Sequence, residues 1–216
     1  MGIVKIFNKN ENTSSPLHIA ASTGNLEAVD IFLNNSVDIN IKNFDNETPL
    51  FSAVDTGKSN LEMIKYLIKK GAKTDLKNNA GWTLLHIAVI NNNLETLKYL
   101  VENNFIDIEA KDEDGYSPLF LAIENGLIDI CNYLISKNAN INTQDIYKSS
   151  ALHLVIESEN LEMIKYLIDK GIDINIKDEE GNTALALLNL IKNDAIEEEN
   201  ISKINNAIIL LESLNQ

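Results

Sequence analysis

Three histidines are the residues of this chain best suited to chemistry, and each follows a hydroxyl by three positions: Ser15 and His18, Thr83 and His86, Ser150 and His153. On a helix that spacing sets hydroxyl and imidazole on one face, which imitates a nucleophile beside its general base. Imidazoles are also the commonest ligands for metals. Two acidic runs, Asp112-Glu113-Asp114 and Asp178-Glu179-Glu180, present oxygens of the kind calcium takes, and Cys131 is the single thiol. What these groups can do depends on the elements that carry them.

Those elements repeat. The nine residues Asn60-Leu-Glu-Met-Ile-Lys-Tyr-Leu-Ile68 return unchanged as Asn160 to Ile168, each copy closely followed by a glycine, Gly71 or Gly171. Six landmarks share a second pattern, a hydroxyl and then a short apolar run: Ser15-Pro-Leu-His18, Thr48-Pro-Leu-Phe51, Thr83-Leu-Leu-His86, Ser117-Pro-Leu-Phe120, Ser150-Ala-Leu-His153 and Thr183-Ala-Leu-Ala186. They are spaced by 33, 35, 34, 33 and 33 residues. Self-similarity at such a period marks a stack of supersecondary units, none of which buries its apolar face alone.

The landmarks resemble the ankyrin repeat, whose unit of about 33 residues carries Thr-Pro-Leu-His-x-Ala. The resemblance runs from about Asn10 to the C-terminus. It implies an all-α fold, a right-handed ankyrin-repeat solenoid of stacked helix-turn-helix units joined by β-turn or hairpin loops. It also implies a single domain over 1–216. In that register 1–11 form an N-terminal capping half-repeat, and five repeats follow at 12–43, 44–78, 79–112, 113–145 and 146–178. A sixth, 179–216, includes a C-terminal capping helix.

Elementary mechanics supports each part of the unit. The landmark hydroxyl is placed to cap a first helix, covering a backbone N–H that would otherwise lack a partner. Pro16, Pro49 and Pro118, the only prolines, then stand at the first helical position, where a missing N–H does no harm. Gly24, Gly57, Asn92 or Gly126 ends that helix in the left-handed conformation. Asn25, Asn60, Asn93 and Asn160 open the second helix as N-caps, each with a glutamate two residues on that suits the helix dipole. In the nonamer Leu61, Ile64, Leu67 and Ile68 fall at helical spacing as an apolar stripe, with Lys65 and Lys69 toward solvent. Repeat two is two residues longer near Lys58 and Ser59, and repeat three is one longer near Asn103 to Phe105. An insertion at Ile191 to Glu199 precedes a last helix whose apolar face is Ile204, Ile208, Leu211 and Leu214.

The register removes the chemical readings. From His18 to His86 is 68 residues and from His86 to His153 is 67, so the three lie two repeats apart. With neighbouring helices packing roughly 8–10 Å apart, they stand too far from one another to share a metal. No orienting group or oxyanion loop accompanies the hydroxyl–imidazole pairs, and the expected role of the imidazole is to tie the helix start to the adjoining turn. Gly115 and Gly181 come too early after the acidic runs for a twelve-residue calcium loop, which leaves solvated turn tips. Cys131 falls in a second helix, where inert packing is expected. Neither a catalytic nor a metal site, nor a cofactor, is expected.

Composition narrows the partner. Lysine and arginine total 18 against 32 aspartates and glutamates, a net charge of −14, and no arginine is present at all. Nucleic-acid binding rests on clustered cations, so DNA or RNA is excluded as an expected partner. One cysteine forms no internal disulfide, the apolar start is too short for a signal-peptide core, Ile6 breaks a lipidation motif at Gly2, and no apolar run spans a membrane. A cytoplasmic location is the default expectation, with export to a host left open.

What the resemblance implies is a binding module that meets a protein partner on the concave side, through turn tips and positions late in the first helix. Carried onto this register, the site is Phe44, Asp45, Glu47, Asp55 and Thr56 in repeat two, then Asn79, Trp82, Ile90 and Asn91 in repeat three. Repeat four adds Glu113, Asp114, Tyr116, Glu124 and Asn125, and repeat five Ile146, Tyr147, Ser149, Glu157 and Ser158. Phe44, Trp82, Tyr116 and Tyr147 are aromatics at turn tips; either they fold over a neighbouring turn or they stand out as anchors, which interfaces favour. On the second reading Trp82 and Tyr116 can be replaced with little change in melting. The carboxylates point to a basic or polar partner surface. The alternative role is a self-assembling structural scaffold using the apolar last helix or the solenoid ends, and a homodimer stays open beside the expected monomer.

Overall fold

A computed structural model describes residues 14–56, 60–158, 160–194 and 198–213. The N-terminal half-repeat, Gly57 to Ser59, part of the Ile191–Glu199 insertion and Leu214 therefore lie outside the described residues. The chain divides into two compact units, Met1–Glu113 and Asp114–Gln216.

The first unit holds α1 (Pro16–Ser22), α2 (Leu26–Asn34), α3 (Pro49–Val54), α4 (Leu61–Lys69), α5 (Leu84–Ile90) and α6 (Leu94–Glu102). The second holds α7 (Pro118–Glu124), α8 (Ile128–Ser136), α9 (Ala151–Glu157), α10 (Leu161–Asp169), α11 (Ala184–Asp194) and α12 (Glu198–Glu212). Each odd-numbered helix packs on the even one that follows it. The odd helices also pack on one another within each unit, α1 on α3 on α5 and α7 on α9 on α11. Among the described residues there are no strands, only isolated bridges such as Gln144 to Ser150. This is the all-α helix-turn-helix architecture that the landmarks imply.

Landmark leucines and alanines make the core. Leu17, Leu50, Leu84, Leu119 and Leu152 are all 1% exposed or less, and Ala20, Ala53, Ala88 and Ala122 are buried among the first helices. The helix starts use two devices. Ser117 Oγ accepts from the Phe120 N–H at 3.2 Å, an ordinary cap. At Ser15, Thr83 and Ser150 the capping box is completed by histidine, whose Nδ1 accepts from the N-cap N–H at 3.2, 3.1 and 3.3 Å. Thr48 departs from the expectation: it makes no side-chain cap, and its Oγ1 is buried without a hydrogen-bond partner.

In the nonamer the buried residues are Met63, Ile64 and Leu67, and likewise Met163, Ile164 and Leu167. Leu61 and Ile68 are half-buried, so the expected stripe is rotated toward the methionines. A second helix packs against its own first helix and its neighbour, which makes its buried face broader than a single stripe. The nonamer tyrosine reaches back one repeat: Tyr66 donates to Asp30 Oδ1, and Tyr166 to Asn132 Oδ1 at 3.1 Å. Lys70 Nζ joins the same Asp30 oxygen at 3.0 Å. The Tyr66 hydrogen bond, and then Lys70, hold that carboxyl below its ordinary range.

In the last repeat α11 runs on to Asp194, so the start of the insertion extends a helix. Ala207, Ile208 and Leu211 of α12 are buried, whereas Ile209 is 63% exposed.

Candidate functional site

The turns that precede the landmarks from Thr48 onward are built on one plan. Five residues before the landmark an Asn or Asp side chain accepts from the N–H one residue before it. Asn43 Oδ1 takes Glu47 N at 2.9 Å, Asn78 Oδ1 takes Trp82 N at 2.9 Å, Asp145 Oδ1 takes Ser149 N at 2.8 Å and Asp178 Oδ1 takes Asn182 N at 2.8 Å. Such side chains mimic a backbone turn and fix its apex. Two residues before the landmark the chain enters the left-handed region, at Asn46, Gly81, Gly115, Lys148 and Gly181. At Gly115 glycine is required on two counts, a φ of 82° and a close approach, since a Cβ there would sit 2.8 Å from Ile146 N.

Each apex is bonded to the next. In the first unit Asn79 N donates to Asp45 O at 2.9 Å and Glu113 N to Ala80 O at 3.1 Å. In the second, Ile146 N donates to Asp114 O at 3.1 Å and Glu179 N to Tyr147 O at 2.9 Å. Within each unit the tips thus form a ladder, and side chains at equivalent register positions share an environment.

Register accordingly sorts the four aromatics. Trp82 and Tyr116 immediately precede their landmarks and are half-buried, Trp82 bonded to the next turn and Tyr116 packed on its own helix. The Trp82 indole N–H donates to Asp112 Oδ2 at 3.1 Å, and the Tyr116 ring lies 4.4 Å from that of Phe120. Phe44 and Tyr147 sit at the apex and are 73% and 57% exposed. Replacing Trp82 or Tyr116 therefore removes packing as well as surface, contrary to the expectation of an unchanged melting curve.

Other candidates of the first unit are engaged in the scaffold. Glu47 Oε1 accepts from Asn78 Nδ2 at 3.0 Å. Asp55 Oδ1 accepts from Asn91 Nδ2 at 2.9 Å. Asn79 Nδ2 donates to Phe44 O at 3.0 Å. Ile90 is 42% exposed at the end of α5. In the second unit Glu124 and Ile146 are exposed, as is Asp114, while the Glu157 side chain lies outside the described residues.

The second unit also gathers part of this set into a cleft of about 350 Å³. Tyr116 and Tyr147 form aromatic walls, and Leu154 of α9 and Leu187 of α11 supply the apolar surface. The rest of the rim is polar and mostly acidic: Asp145 and the Ser149 hydroxyl from one turn, then Asp178, Glu179 and Glu180 from the next. Burial, the largest single influence, pushes the Asp178 carboxyl up, but the Asn182 hydrogen bonds, with His153 and the Glu180 N–H, together hold it below the ordinary carboxylate range. Sequence reasoning missed Leu154 and Leu187. Both stand four residues after a landmark hydroxyl, one helical turn before the late-helix positions it did select, so the i, i+3 and i, i+4 relation would have found them. The 178–180 run, expected to be a solvated turn tip because Gly181 comes too early for a calcium loop, also lines this cleft.

The hydroxyl–imidazole pairs are structural. His18 Nε2 donates to Glu47 O at 3.0 Å and His153 Nε2 to Asn182 O at 3.1 Å. Their Nδ1 atoms meanwhile accept from the N-cap amides and lie 2.8 Å from the Ser15 and Ser150 hydroxyls. With both ring nitrogens engaged, neither imidazole is free to take a proton from a substrate. Among the described residues no group of three or more His, Cys, Asp and Glu is placed to hold a metal ion, and no helix is long and apolar enough to cross a membrane. Cys131 is buried, and that burial pushes its thiol up to about 12.

Comparison with known proteins agrees with this geometry. Models of ankyrin repeats match residues 2–78, 56–145 and 134–188. A putative ankyrin repeat protein of Rickettsia felis is 34% identical over 141 residues, 64% of this chain and 44% of that protein. The chain thus spans less than half the length of this curated relative. Among solved structures, the ankyrin repeat domain of Bcl-3 superposes with a TM-score of 0.70 at 28% identity, covering 85% of this chain and 86% of that one. A chain from the complex of a predatory endopeptidase of Bdellovibrio bacteriovorus with an immunity protein gives 0.71 at 26% identity, covering 90% and 99%.

Proposed function

The chain belongs to the ankyrin repeat family, and from that premise we propose that it is a non-enzymatic module that binds a protein partner through its turn tips and the exposed faces of its first helices. Ankyrin repeats generally mediate protein–protein interaction, and one similar fold is found in a complex between proteins. The observation that carries the reading is the cleft between Tyr116 and Tyr147, where aromatic, aliphatic and acidic groups converge without a pairing cation among its lining residues. Exposed aromatics beside a concavity are what interfaces use as anchors. The acidic rim selects a basic or polar partner surface.

A photo-crosslinking residue placed at Tyr147 tests this directly in extracts of the source cell or its host. Crosslinks to one defined protein at Tyr147, absent when the probe sits at exposed Lys165 on α10, support the site. Equal labelling at both positions refutes it.

A second reading, self-association, rests on Leu190 and Ile209 near the C-terminus, which are 50% and 63% exposed. Light scattering separates the two, since a monomer at high concentration excludes assembly.

A further inference from the structure

The cleft of the second unit is chemically specific in a way the general binding role does not require. We propose that it receives one arginine side chain from an extended segment of the partner protein, with the guanidinium lying on the tyrosine walls and bonded to carboxylates of two successive turns. The inference rests on the protein-binding reading above and names what that site recognises.

Three features of the cleft support this. Its volume, about 350 Å³, is at the small end of ligand clefts, which run roughly 300–1,000 Å³, and suits a single long side chain. Its apolar surface is limited to Leu154 and Leu187, enough to cover the methylene stem that long cations bury while their heads stay polar. Its negative charge is distributed. Asp145 spends one oxygen on the Tyr147 and Ser149 amides of its own turn. Asp178 accepts from the Asn182 N–H on one oxygen and, at 3.4 Å, from Asn182 Nδ2 on the other, and the same Nδ2 donates to one Glu180 oxygen at 3.3 Å. Glu179 and Glu180 are exposed beside them.

Distribution of charge decides between cations. A metal ion needs several oxygens around one point, and no such group occurs among the described residues. A guanidinium is planar, carries five donors and stacks on aromatic faces, so it reaches acceptors on neighbouring turns while covering a ring. An ammonium is a compact point charge and satisfies fewer of these groups at once. The Tyr116 ring, stacked at 4.4 Å on Phe120, is held as a fixed wall, and the Tyr147 ring is 57% exposed and accessible.

The test is an NMR titration of the full chain with the peptide acetyl-Gly-Ala-Arg-Ala-Gly-amide, and with counterparts carrying citrulline or lysine in place of arginine. The expected result is saturable shifts confined to the amides of the residues lining the cleft and of their turns, Tyr116, 145–149, Leu154, 178–182 and Leu187. Citrulline, which has the same shape without the charge, should bind about tenfold more weakly. Glu179→Gln and Glu180→Gln should each weaken the arginine peptide about two- to fivefold, the range of exposed charge pairs, and added salt should weaken it further. Both substitutions are at exposed positions, and an unchanged spectrum of the free protein verifies folding. Citrulline binding as well as arginine, lysine binding better, or shifts elsewhere overturns the assignment. If that happens while Tyr147 still crosslinks a defined protein, only the arginine assignment falls; loss of that crosslink as well removes the protein-binding reading.

Discussion

His18 donates from Nε2 to the carbonyl of Glu47, 3.0 Å away, while its Nδ1 accepts from the N–H of Ser15 at 3.2 Å. One neutral imidazole thus closes a helix start in repeat one and grips the turn that precedes the landmark of repeat two. A second proton would have to go on Nδ1, where the Ser15 N–H already points.

That arrangement gives stability a pH dependence of definite sign. Burial, the largest influence, holds His18 below the ordinary imidazole value, which is about 6.5. The unfolded chain therefore binds the proton first as pH falls, and the stabilisation present above about 6.5 is lost as pH drops towards and through the lower folded value. Urea melts at pH 7.5 and 5.5 should show wild type losing more stability than His18→Gln. An equal loss in both would contradict the account.

Thr48 and Ser117 occupy the same landmark position with opposite consequences. The Ser117 hydroxyl caps α7, so Ser117→Ala should cost about 1 kcal/mol. The Thr48 hydroxyl is buried without a partner, a burden of about 1–3 kcal/mol. Its extended backbone, at φ −100° and ψ 168°, suits valine, so Thr48→Val should leave the melting temperature unchanged or raise it. A marked fall would show that the hydroxyl has a bonding role.

Gly115 and Lys148 form a second opposed pair, both left-handed and both two residues before a landmark. Lys148→Gly relieves a conformation that costs an L-residue about 1–2 kcal/mol and should stabilise. Gly115→Ala drives a Cβ to within 2.8 Å of Ile146 N and should destabilise more than an ordinary surface change. Thermal melts of the two variants check both signs.

Cys131 is buried in α8, with its thiol pushed up to about 12, so almost no thiolate exists near neutral pH. Alkylation by iodoacetamide at pH 8 should be negligible in the folded protein and prompt in denaturant. Fast labelling of the folded chain would show that α8 opens readily.

Much of this fold is legible in the sequence because the repeat states each constraint several times. Proline after a hydroxyl, an Asn before Leu-x-Met or Leu-x-Thr and a glycine at a fixed offset all reflect local backbone physics, which register alone conveys. Side-chain fate is less local. Asn160 caps its helix by accepting from Met163 N at 3.1 Å, yet Asn60, opening the same nine residues, makes no cap and donates from Nδ2 to Ala21 O at 2.8 Å. The longer connection of repeat two delivers Asn60 at φ −115° and ψ 34°, against −82° and 81° at Asn160. The candidate site was readable in the same partial sense. Tip positions followed from the period, whereas exposure at Phe44 and Tyr147 against half-burial at Trp82 and Tyr116 depends on how each turn folds back.

The most direct measurement is the affinity of the Tyr147-crosslinked partner for wild type, Tyr147→Ala and Lys165→Ala by titration calorimetry, with circular dichroism melts alongside. The account predicts at least about a tenfold loss for Tyr147→Ala, as expected for an interface anchor, with no loss for Lys165→Ala and closely similar melting for all three. Equal affinity of the three proteins would contradict it.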